Sequence, residues 1–194
     1  MTEAELISAC LKNEKTAKKL FFEMYYSKLA FIALRYCKNK VQSEDLLLNG
    51  FNRIFNALSN FKNQTELSLE DFSKHELISF LVKEIKNIRN EYYVASTVKA
   101  IEKKERSYDL FLDNFYVDFN SINQNILLKS LHELVPSQRL AFNLNIIEGY
   151  SLSKISDLLE TNEQTVKSNI EKSRFNLQKT IERNLKLNQN EQPV

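Results

Sequence analysis

Apolar residues recur along most of this chain at steps of three and four, the period of a helix with one buried face. Near the N-terminus Leu6, Cys10, Thr16/Ala17, Leu20, Phe21 and Met24 follow that spacing, and Leu29, Ile32 and Ala33 continue it. A second stretch, Ser43–Asn60, sets Leu47, Phe51, Ile54 and Leu58 on one stripe. A third, His75–Val94, does the same with Ile78, Leu81, Ile85, Ile88 and Tyr92. Three inward faces in one contiguous block predict a helical bundle with its own core.

The pattern fades between Ala95 and Ser121. Lys99–Arg106 is charged, and Tyr108–Phe119 mixes aromatics with aspartates without a clean period. This segment reads as a linker whose aromatics dock on a neighbour, unlike a solvated Gly/Ser tether. Periodicity returns near Asn123 with Leu127, Leu131 and Leu134, a stripe expected to stop at Pro136. Ser137 is the expected N-cap of the next helix, which runs through Leu140, Leu144 and Ile147 to Gly149, a residue suited to a left-handed C-terminal position. Ser151 caps a short helix with Leu152, Ile155, Leu158 and Leu159 inward. Asn162 caps a longer one with Val166, Ile170, Leu177 and Ile181 inward. Helix, turn, short helix, turn, basic helix is the outline of a helix-turn-helix.

The predicted fold is therefore all-α, two helical domains joined by a linker, the C-terminal one a helix-turn-helix. The boundaries read as 1–94, 95–122 and 123–186, with a polar tail over 187–194. Two glycines and two prolines in 194 residues leave little raw material for hairpins or phosphate-binding loops. No apolar run approaches the ~20 residues of a membrane span, and Met1–Leu11 is too charged for a secretory signal, so the expected location is the cytoplasm. Cys10 and Cys37 lie on apolar faces and read as buried thiols. His75 and His132 are scattered, so neither metal nor cofactor is expected, and no nucleophile–base pair suggests an enzyme.

The formal net charge is only +2, which is small for a nucleic-acid-binding protein. The distribution is uneven, however: Glu163–Lys186 holds six basic residues against three acidic ones. With Val166, Ile170 and Leu177 inward, about 100° per residue puts Gln164, Ser168, Glu171 and Phe175 on the opposite face. Lys167 and Lys172 flank it. Early positions of a recognition helix reach deepest into the major groove, so Gln164, Thr165, Lys167 and Ser168 are candidates for base contact. Lys172 and Arg174 suit phosphates. A solvated face would also carry such residues, and Glu171 and Phe175 fit a phosphate-facing surface poorly. Lys83, Lys86, Asn87, Arg89 and Asn90 present a second polar face, with Tyr92 or Tyr93 able to stack on an exposed base.

Taken in order, the C-terminal motifs resemble those of the extracytoplasmic-function sigma factors of bacterial RNA polymerase. The matching pieces are Leu134–Pro136 with Arg139, Phe142-Asn143-Leu144, Glu148-Gly149-Tyr150-Ser151 and Thr165-Val166-Lys167-Ser168. Ala33–Cys37, Ser43-Glu44-Asp45-Leu46 and Phe51 resemble the family's core-binding region, and Lys86-Asn87-Ile88 with Glu91-Tyr92 its downstream-promoter helix. The resemblance implies a protein that binds bacterial core RNA polymerase through Glu44, Asp45 and Phe51. It also implies promoter DNA as a ligand, through Lys86, Asn87, Arg89 and Asn90 and through the helix-turn-helix, and regulation by an anti-sigma protein. Leu48 and Asn49 replace the family's Gln and Glu, Phe80 its tryptophan, Lys154 and Ser156 its Glu and Ala, and Glu160 its turn glycine. The loop Phe61–His75 is unusually long and acidic. These departures keep two other accounts open: a degenerate sigma-like interaction protein, and a stand-alone helix-turn-helix regulator.

Overall fold

The computed structural model describes residues 1–61, 67–88 and 123–190, the side chains of 186–190 excepted. The described residues are helical and form two compact units, divided between Glu84 and Ile85.

The first unit holds α1 (Glu3–Leu11), α2 (Lys15–Tyr36), α3 (Lys40–Phe61) and most of α4 (Leu69–Asn87). Each start has a local cause. Thr2 and Glu5 cap α1 reciprocally: the Glu5 N–H donates to Thr2 Oγ1 at 3.2 Å and the Thr2 N–H to Glu5 Oε2 at 2.7 Å. Asn13 turns the chain with φ 62°, a value asparagine tolerates. Asn39 caps α3 by accepting from the Gln42 N–H at 2.9 Å. Ser68 caps α4 by accepting from the Asp71 N–H at 3.0 Å.

Two expectations are thereby corrected. The third stripe begins at Leu69 rather than His75, because Ser68 and Asp71 supply a cap and Leu69 and Phe72 are buried. Much of the presumed acidic loop is therefore helix. The stripe ends at Asn87 within the described residues, leaving Ile88 half-buried beyond it; Tyr92 and Tyr93 lie outside them. Leu47, Phe51, Ile54 and Leu58 are buried as the period requires. On α2 the core takes Tyr25 and leaves Leu20 and Met24 exposed. Ala17, Phe21, Tyr25 and Leu29 already form one continuous row at four-residue steps, and Leu20 and Met24 lie off its edge. Phe21, Phe22, Phe51 and Phe55 form an aromatic cluster, with Phe22 and Phe51 centroids 4.5 Å apart. Gly50 lets α4 approach α3, since a Cβ there would stand 2.4 Å from Leu77 Cδ1.

The second unit contains α5 (Gln124–Glu133), α6 (Pro136–Phe142), a π-helical turn over Asn143–Ile147, α7 (Leu152–Leu159) and α8 (Glu163–Asn190). The helix before Pro136 ends at Glu133, as expected, and Pro136 also starts the next one as its first residue, with Val135 at the N-cap; Ser137, the expected cap, is inside the helix. Proline suits that position because its φ is preset and its missing N–H is not needed there. Asn123 caps α5 through the Asn125 N–H at 2.8 Å. The π turn, in which the Glu148 N–H donates to the Asn143 carbonyl, shifts the helical register. Ile147, expected inward, is consequently exposed along with Ile146.

Ile126, Leu131, Leu134, Leu177 and Ile181 form a buried cluster joining α5 to the far half of α8. Polar pairs fix the alignment of the two helices: Asn184 Nδ2 donates to Ser130 Oγ at 3.2 Å, and Arg183 pairs with Glu133. The expected boundary at 186 falls within α8, which continues to Asn190. The proposed linker, 95–122, lies outside the described residues.

Candidate nucleic-acid interface

The helix-turn-helix is assembled from three local devices. Gly149 closes the π turn at φ 72°, as its place in the sequence predicts, and Tyr150 N–H donates back to the Leu144 carbonyl at 2.9 Å. Ser151 then starts α7 by accepting from the Lys154 N–H at 3.2 Å. Between α7 and α8, Glu160 adopts φ 51° and ψ 50°, a left-handed conformation that ends α7, and the Thr161 N–H donates to the Ser156 carbonyl. Asn162 Oδ1 accepts from the Thr165 N–H at 2.8 Å and starts α8. Ile155, Leu159, Val166 and Ile170 are buried and hold α7 against α8.

Arg139 anchors this assembly from inside. Its side chain is 2% exposed, and Nη1 donates to the Leu134 carbonyl at 2.8 Å and the His132 carbonyl at 3.3 Å. A cation thus meets the carbonyl end of α5, where the helix dipole favours it. Asn143 Nδ2 donates to the Arg139 carbonyl at 2.9 Å, and Asn176 to Gln138 at 2.8 Å.

With those faces inward, α8 presents Gln164, Thr165, Lys167, Glu171 and Arg174 to solvent, while Ser168 and Lys172 are half-buried. The recognition-helix candidates thus lie on one element, with Gln164 and Ser168 central to its outward side and Thr165 and Lys172 on one edge and Lys167 and Arg174 on the other. Phe175 is half-buried and covered by Lys179, whose Nζ lies 4.4 Å from the ring centroid, so it is no bare hydrophobe on that face. Lys154, read from the sequence only as a departure from the family's glutamate, is exposed on α7 with Nζ 3.9 Å from the Tyr150 ring centroid. Burial, with Glu148 adding to it, pushes the Tyr150 phenol above its ordinary range, so it stays neutral beside that lysine.

The remaining candidates belong elsewhere. Lys86 is half-buried and Asn87 exposed at the end of α4; Arg89 and Asn90 lie outside the described residues. Glu44 and Asp45 are exposed on α3. Phe51 is 2% exposed inside the aromatic cluster, so it supports α3 and has no surface to offer a partner. The outward face of α3 is instead Val41, Asp45, Leu48 and Asn52, all exposed at steps of four, three and four. Helical geometry alone could have shown this, because Phe51 shares a stripe with Leu47 and Ile54. Among the described residues no group of His, Cys, Asp or Glu is arranged to hold a metal ion, and no helix is long and apolar enough to cross a membrane.

Residues 124–175 match the Sigma-70 region 4 family. No curated protein matches the sequence. Among solved structures, the chain is similar to the sigma factor RpoE of Bartonella quintana, solved in complex with the anti-sigma factor NepR. That likeness has a TM-score of 0.52 and 17% identity, over 84% of this chain and 96% of the other. Residues 124–175 thus form a sigma-70 region 4 domain, and the chain has the fold of the sigma factor it matches.

Proposed function

We propose that the protein binds bacterial core RNA polymerase and directs promoter-specific transcription initiation in the cytoplasm, with no catalysis of its own. The observation that carries this reading is the region 4 helix-turn-helix, capped at both turns, whose α8 leaves Gln164, Thr165, Lys167 and Arg174 exposed. In this reading Gln164, Thr165, Lys167 and Ser168 read base edges, and Lys172 and Arg174 hold phosphates. Lys154 adds a phosphate contact from α7.

The N-terminal unit binds polymerase through Glu44, Asp45 and the apolar Val41 and Leu48 around them, with Phe51 holding that face from behind. The end of α4, with Lys86, Asn87, Arg89 and Asn90, meets the downstream promoter element. The boundaries 1–94 and 123–186 belong to this proposal, as does an anti-sigma partner of the kind the Bartonella relative binds.

The test is transcription in vitro from a library of promoters, using purified core enzyme with and without the chain. Promoter-specific transcripts that disappear with Asp45→Lys, at unchanged helix content, support the reading. Core binding without transcripts would leave a degenerate sigma-like protein, to which Leu48 and Asn49 point. Specific DNA binding without core binding would leave a stand-alone regulator.

A further inference from the structure

The outward side of α2 carries a feature that neither polymerase nor promoter contact accounts for. Leu20, Met24, Ser27 and Phe31 follow one another at steps of four, three and four. That is the alternation with which one helix lays a seam against another in a coiled coil. Here it faces solvent: Leu20 is 37% exposed, Met24 51% and Phe31 52%. The core of the unit uses the opposite side of α2, through Phe21, Tyr25, Leu29, Ala33 and Tyr36. Single exposed hydrophobes are common on protein surfaces. Three large ones in seam register on one helix form a patch with a preferred shape of partner.

Charge narrows that partner. Of the charged residues of α2, Lys28 and Arg35 lie beside the seam on one edge and Glu23 on the other, while Lys15, Lys18 and Lys19 lie further round the helix. Lys28 and Arg35, seven residues apart, line one edge of the seam; Arg35 also lies 5.2 Å from the Phe31 ring centroid. Lys28 meets Glu70 at 2.5 Å and Lys19 meets Glu23 at 3.7 Å, both pairs largely in solvent. Exposed pairs of this kind are worth roughly 0–1 kcal/mol, so an incoming carboxylate can compete for Lys28. A basic edge beside a methionine- and phenylalanine-bearing stripe is complementary to a helix with apolar seam residues and acidic flanks. Nucleic acid fits less well, because it has no apolar face to cover Leu20 and Met24. A second copy of the chain would bring the same surplus of lysines against this one.

We infer that the Leu20–Phe31 face of α2 is a docking surface for an amphipathic helix with acidic flanks, supplied by a partner protein. The inference rests on the first unit alone and stands apart from the transcriptional reading.

Its test uses the full chain labelled with ¹³C at the methionine methyl groups and two synthetic helical peptides. Both peptides carry Leu at the seam positions; one has Glu at the flanking positions and the other Lys. The expected result is a saturable shift of the Met24 methyl signal with the Glu peptide, at least tenfold weaker binding of the Lys peptide, and weakening with salt. Phe31→Ser should cut affinity at least tenfold while leaving helix content unchanged. Lys28→Glu with Arg35→Glu, which leaves the apolar seam intact, should reverse the preference between the peptides. Equal binding of both peptides, no shift at Met24 up to millimolar peptide, or a chain that dimerises through this face would each overturn the proposal.

Discussion

Two residues of the C-terminal unit carry more than their side-chain type suggests. Glu160 holds a left-handed conformation with a Cβ that disfavours it, at about 1–2 kcal/mol. Glu160→Gly is therefore expected to stabilise the unit by about 1 kcal/mol, and Glu160→Asn by less. Both would appear as raised thermal midpoints, and no gain with glycine would show that the turn is unstrained. Arg139 works in the opposite sense. Replacing it with Met keeps volume but strands the carbonyls of His132 and Leu134, so a loss of about 2 kcal/mol is expected in urea denaturation. Arg139→Ala should cost more, through the cavity it leaves. The sequence marked Arg139 as part of a family motif without giving its job, because a buried cation and a DNA-contacting cation look alike in one dimension.

The phenol of Tyr150 gives a pH dependence at the same scale. Burial raises its pKa in the folded protein above the ordinary tyrosine range, so folding favours the neutral form. The associated stability is complete below about pH 10, the unfolded tyrosine value, and is lost as pH rises through the folded one. Denaturation midpoints at pH 8 and pH 11 should therefore fall less for Tyr150→Phe than for the parent chain. An equal fall in both would assign the alkaline loss to other groups, Tyr25 among them.

At the scale of elements, periodicity exposed the helices because each buries one face, and it located the caps at Ser151 and Asn162 because those side chains have one good use before a helix. It failed where two solutions share a pattern. Pro136 follows one helix and begins the next, and the spacing of apolar residues alone could not tell which of Val135 and Ser137 caps it. The π turn at Asn143–Ile147 left no mark in the spacing, since it adds a residue without changing composition. Phe51 was assigned a surface role by resemblance although its stripe already placed it inward. For α8 the proposed division of labour between base and phosphate contacts predicts different signatures. Arg174→Ala should weaken binding to all DNA sequences similarly and lower the salt slope by about 1. Gln164→Ala should lose about 1–3 kcal/mol only on its preferred site and relax one base position. Fluorescence anisotropy across salt concentrations separates the two, and identical behaviour would remove the assignment of Gln164 to bases.

For the whole molecule, a formal charge of +2 has to be reconciled with the proposed promoter recognition. In the proposed reading tethering answers this, because linking two binding units makes the second contact intramolecular at an effective concentration, so neither contact needs to be strong alone. The arrangement makes a quantitative demand. Asp45 on α3 and Arg174 on α8 lie in separate units and are assigned to separate partners, polymerase and DNA. Their substitutions should then act independently on formation of the promoter complex with core enzyme. Asp45→Ala lowers affinity for core, Arg174→Ala lowers affinity for the upstream element, and the double variant should lose the sum of the two free energies within about 0.5 kcal/mol. Measuring complex formation by anisotropy for the four proteins gives the coupling directly. A loss well short of the sum would mean that one substitution already releases both units, so that DNA binding is gated by polymerase binding and the tether alone does not explain recognition.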